Sequence, residues 1–147
     1  MTNKNDEAER VTNLDYLLDL SKGNNHFVRE MIETFLIENP KEIEQLENAI
    51  KQKDFEMIKQ AAHLLQSSIA FVGLNKVIED EVYEIEKIAD EKSKMKKVEI
   101  LPADKSEFQK IEIVRTDKTA VKRIEMLFNK VKKACEKSRL ELEDFGK

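Results

Sequence analysis

Glycine and proline are nearly missing from this chain: three glycines and two prolines stand among 147 residues, roughly 3% against an ordinary usage of about 12%. That scarcity restricts the fold more than any other feature. A β-sandwich or barrel wants turn residues every ten positions or so, and the familiar nucleotide sites want clustered glycines that let backbone amides approach phosphates. Neither is available, which leaves helices. The length suits one compact domain and is short for two, so residues 1–147 read as a single helical domain. Hydrophobic residues at 40% supply a core where they are patterned.

Charge and cysteine narrow the function classes. The 26 basic and 30 acidic residues are intermingled and leave a net charge of -4, without the basic face that nucleic acid would require. Met1 to Arg10 is polar and gives no secretory signal, and the apolar run Ile69 to Leu74 is far too short to span a bilayer. The expectation is a cytoplasmic protein with no membrane and no nucleic-acid partner. A lone Cys135 builds neither a disulfide nor a zinc site and reads as core filler.

Periodicity then sets the elements. Residues 1–12 read as a flexible tail. A short helix follows from Leu14 to Ser21, with Thr12 and Asp15 at the spacing of a capping box and Gly23 beyond its end. The next helix runs from about His26 to Gln52, with Val28, Ile32, Phe35, Ile43, Leu46 and Ile50 on one side and a proline, Pro40, expected to bend or divide it. Asp54 caps a third, Phe55 to Phe71, whose Phe55, Ile58, Ala62, Leu65 and Ile69 recur at spacings of three and four. A fourth spans Asn75 to Glu91 with Val77, Ile78, Val82, Ile85 and Ala89, and the last spans Asp117 to Glu143 with Val121, Ile124, Phe128, Val131 and Cys135. Each has one apolar stripe to cover, so the expected fold is all-α: an antiparallel up-and-down four-helix bundle with a short extra N-terminal helix. Residues 94–116 read as an insertion before the last helix. Lys97-Val98-Glu99-Ile100 and Lys110-Ile111-Glu112-Ile113 alternate around Pro102, as a small β-hairpin would, and an irregular connector is the other reading.

Two histidines are present. His26 stands at a helix start beside two asparagines and carries no evident role. His63 is placed differently. At about 100° per residue, Lys59, Gln60, His63, Gln66, Ser67 and Ala70 share the side of the third helix opposite the core stripe, so the ring faces water with small neighbours one and two turns on. Glu-x-x-His pairs of the di-iron kind are absent, since Gln60 and Gly23 stand three residues before the histidines.

The string Ala61-Ala62-His63-Leu64-Leu65-Gln66-Ser67-Ser68, followed by Gly73-Leu74, resembles the motif of histidine-containing phosphotransfer (HPt) domains. The resemblance covers roughly Leu14 to Ala89, with the last helix completing that family's bundle. It implies a phosphorelay intermediate of two-component, bacterial-type signalling, in which His63 takes a phosphoryl group from a receiver domain's aspartyl phosphate and passes it to another receiver. It also implies a hybrid histidine kinase and response-regulator receivers as partners, a monomer, and no cofactor of its own, the Mg²⁺ being held by the receiver. The chain has no room for an ATP-binding domain, so it would be a carrier without kinase activity. Against the family pattern, Gln66 and Ser67 replace the lysine and glycine that usually follow the histidine. Gln66 is placed to donate to a phosphoryl oxygen, Ser67 is small enough to leave a gap, and Lys59 on the same face is the candidate for the missing cation. The same two replacements favour the alternative of an HPt-fold bundle, not phosphorylated, that only binds proteins. A partner would cover the third helix and the adjoining rim of the second, where Phe27 and Met31 edge the apolar stripe or else cover the short first helix.

Overall fold

The structure, a computed structural model, describes residues 10–100 and 106–144, with side chains for 10–94 and 118–144. Five helices follow one another: α1 Asp15–Ser21, α2 Asn25–Gln52, α3 Phe55–Phe71, α4 Asn75–Ile100 and α5 Ser106–Glu143. Helices α2 to α5 pack in sequence order, α5 returns to α2, and α1 lies on α2. The ring encloses one core, in which Leu46, Phe55, Ile58, Leu65, Ile69, Ile85, Ile124 and Val131 are almost fully shielded from solvent. No strand is found among the described residues. No helix among them is long and apolar enough to cross a membrane.

Local chemistry sets the helix ends. Asn24 Oδ1 accepts from the Phe27 amide and Asp54 Oδ1 from the Met57 amide, both at 3.1 Å, so each side chain satisfies an amide that the first turn leaves unpaired. Helices α1 and α2 end on left-handed lysines, Lys22 at φ 53 and Lys53 at φ 57. Gly73, at φ 73, follows the cap of α3. A Cβ there would collide with the backbone of Asn13, because the Asn13 amide donates to the Val72 carbonyl at 2.7 Å. Glycine is required here for both its conformation and its lack of a side chain.

Three expectations are corrected, together with one of the two alternatives at Pro40. The insertion is helical: residues 94–100 continue α4, and 106–116 belong to α5. A four-residue alternation is too short to set a period, and Lys, Glu, Met and Gln are good helix formers; Pro102 lies outside the described residues. Pro40 does not divide α2, which is continuous across it. Its neighbour Asn39 is buried and spans to α5, where Nδ2 faces Cys135 Sγ at 3.6 Å and Oδ1 accepts from Arg139 at 2.6 Å. Thr12 caps no helix; Asn13 Oδ1 accepts from the Asp15 amide instead. Val77 is exposed rather than part of the α4 stripe.

The expected tail is only partly described, since residues 1–9 lie outside the described set. Val11 and Thr12 are held: both amides and the Thr12 hydroxyl donate to the Glu141 carboxylate at 2.5–3.1 Å. Cys135 is buried, and desolvation pushes its thiol up to about 11.

Candidate functional site

Helix α3 is fixed in rotation by its buried side. Phe55, Ile58, Ala62, Leu65 and Ile69 are each 0 or 1% exposed, and turning the helix would bring them into water at about 25 cal/mol per Å². His63 is thereby held outward, its side chain 74% exposed, as its place among the polar neighbours predicts. Ser67, one turn on, is also exposed, and Ala70 is half-buried.

Helix α4 runs antiparallel to α3 and brings a carboxylate to the ring. His63 Nδ1 lies 3.0 Å from Glu86 Oε2. Gln66 Nε2 donates to the other oxygen, Oε1, at 2.5 Å. A carboxylate only accepts hydrogen bonds, so the nitrogen facing it carries the hydrogen and the neutral ring keeps its lone pair on Nε2.

One turn toward the start of α3, Lys59 Nζ meets Glu56 at 3.2 Å and Asp90 at 3.5 Å. The bond to Glu56 holds the ammonium above the usual lysine range, and Asp90, bonded to Lys94 and Lys59, lies below the usual carboxylate range. A groove of about 790 Å³ lies between the helices, with Gln60, His63, Leu64 and Ser67 from α3 and Tyr83 and Lys87 from α4 among its walls. Leu64 and Tyr83 are more than half exposed, so apolar surface flanks the imidazole.

Of the four residues singled out in the sequence, His63, Ser67 and Lys59 line this groove, and Gln66 lies behind the ring on Glu86. Lys59 is already occupied by two carboxylates, and the Gln66 amide is directed at Glu86. The groove's second wall comes from α4, and Phe27 and Met31 on α2 are half-buried against the core. Sequence reasoning missed Tyr83, Glu86 and Lys87. Their spacing of three and four is legible, yet which polar flank of α4 turns toward α3 depends on the handedness of the bundle.

The support behind the site is polar as well. Ser93 donates to Glu56 at 2.6 Å and Ser68 to Glu42 at 2.7 Å. Burial is the main cause that raises the Glu42 carboxyl above its ordinary range.

The family model described as Hpt domain matches residues 30–112, a span that begins in the second turn of α2 and includes α3, α4 and His63. No curated protein and no solved structure matches the chain.

Proposed function

The chain belongs to the Hpt domain family, and on that premise we propose that His63 accepts a phosphoryl group from a receiver's aspartyl phosphate and hands it to a second receiver. The family carries out histidine phosphotransfer in phosphorelays, with receiver domains and kinases as partners. One observation supports His63 as the carrier: its Nδ1 is engaged by Glu86 while the rest of the exposed ring opens on the groove.

The chemistry needs little more. The Nε2 lone pair attacks phosphorus in line; the N–P bond forms as the O–P bond to the receiver's aspartate breaks, and the carboxylate leaves with the electron pair. No proton has to be removed from the nucleophile. The Nδ1 hydrogen stays on the bond to Glu86, whose negative charge balances the imidazolium that forms. Phosphoryl transfer asks chiefly for alignment and charge stabilisation, and Mg²⁺ would be held by the receiver's carboxylates. Ser67 and Ala70 leave the space for the receiver's active-site mouth, and Leu64 and Tyr83 give it apolar footing. In this reading the protein acts as a cytoplasmic monomer fed by a hybrid histidine kinase.

Incubation of the protein with a phosphorylated receiver tests the reading. An acid-labile, alkali-stable phosphoryl group on the native chain, absent from His63→Ala, is the expected result. No label from any receiver of the source genome would leave a bundle that only binds its partners.

A further inference from the structure

Phosphorylation of His63 on Nε2 would bring a group with two negative charges into the groove, across the ring from Glu86, which balances the imidazolium at Nδ1. The non-bridging oxygens then call for a cation of their own. Two lysines line the groove, Lys59 and Lys87. Lys59 is taken by Glu56 and Asp90. Lys87 is exposed and forms no ion pair among the described residues.

Of the acids near Lys87 in α4, Asp90 is bonded to Lys59 and Lys94, and Glu91, four residues on, lines a second groove with Lys87 without an ion pair to it among the described residues. Glu84, three residues before Lys87, is held by Arg123 at 2.6 Å. Glu86, the immediate neighbour of Lys87, is held by His63 and Gln66. The ammonium is therefore a rotatable point charge on a four-carbon stem, on the same wall as the carboxylate that fixes the ring.

Resting on the phosphotransfer reading of His63, we propose that Lys87 is the cation that holds the phosphoryl oxygens as the group moves between aspartate and imidazole. Helix α4 then supplies both supports, Glu86 for the ring and Lys87 for the group it carries. While the Nε2–P bond forms and the aspartyl O–P bond breaks, the Lys87 ammonium donates hydrogen bonds to the non-bridging oxygens and gives up no proton. Charged hydrogen bonds of this kind are about twice as strong as neutral ones.

Single-turnover transfer from a phosphorylated receiver, at several receiver concentrations, tests this on native protein, Lys87→Ala, Lys87→Arg and the double variant Lys87→Ala with Gln66→Lys. Removing one preorganised donor to a developing anion costs about 100-fold in a closed site, and this groove is open, so Lys87→Ala should slow the saturating rate about tenfold. Lys87→Arg should keep most of the rate, and the double variant should recover part of it. A Lys87→Ala chain that transfers at the native rate overturns the proposal. So does an unchanged saturating rate with a higher half-saturating receiver concentration, which would make Lys87 a docking charge, or a Lys87→Arg rate as low as that of Lys87→Ala. Circular dichroism of each variant reports folding independently. A native chain that takes no label at all refutes His63 as the carrier instead.

Discussion

His63 and Glu86 meet across the α3–α4 seam as ring nitrogen and carboxylate oxygen, 3.0 Å apart, and this contact leaves Nε2 as the ring nitrogen with the free lone pair. Removing the acceptor in Glu86→Ala should let the ring move toward the tautomer protonated on Nε2, visible in nitrogen-15 spectra. Acceptance of phosphate should slow about tenfold, less than the roughly 100-fold or more of a group that itself transfers a proton, because Glu86 only orients the ring. An unchanged tautomer ratio would mean that Glu86 does not orient the ring.

His63→Gln removes an exposed side chain and leaves the core stripe of α3 untouched. Denaturant midpoints should move by no more than about 0.5 kcal/mol in stability, while phosphoryl acceptance should be lost. Labelling that survives the substitution would place the acceptor elsewhere.

Gly73 and Gly23 both have positive φ, and their surroundings differ. Gly23→Ala meets open space and should cost about 1 kcal/mol for the left-handed backbone alone. Gly73→Ala adds a collision with the Asn13 backbone, so its cost should exceed that of Gly23→Ala by at least about 1 kcal/mol. Urea denaturation of the two variants measures the difference.

Glu42 has its carboxyl raised by burial, against the opposing bond from Ser68. A raised folded value means that folding favours the protonated acid: its contribution is complete below the ordinary 4.5 and is lost as pH climbs through the folded value. At pH 7 the ionised group therefore opposes folding. Glu42→Gln keeps an acceptor for Ser68 and should stabilise the protein by about 0.5 kcal/mol at pH 7, a figure held low for a half-exposed group. The gain should vanish at pH 4, as thermal melts at the two pH values would show.

Much of this architecture is legible in the sequence. The stripe of α3, the Asp54 cap and the outward face of His63 follow from spacing alone, because a 3.6-residue period fixes which side chains share a side. Residues 94–100 and 106–116 are helical where the sequence reads as an insertion, because short alternating strings satisfy two periods at once and a composition of good helix formers then extends both helices. Glu86 and Lys87 were unreadable as site residues for a different reason. A single helix announces its buried stripe, whereas the neighbour of each exposed flank is chosen only when four helices close into a ring. Lys59 illustrates the same limit: its charge is plain in the sequence, and its two carboxylate partners are not.

The contacts of Val11, Thr12 and Asn13 gather the start of the described chain, the α3–α4 turn at Val72 and Gly73, and Glu141 near the end of α5 at one pole of the bundle. The described residues thus enter and leave the bundle at that pole. His63, at the midpoint of α3, stands about two helical turns away from it and opens sideways on the groove.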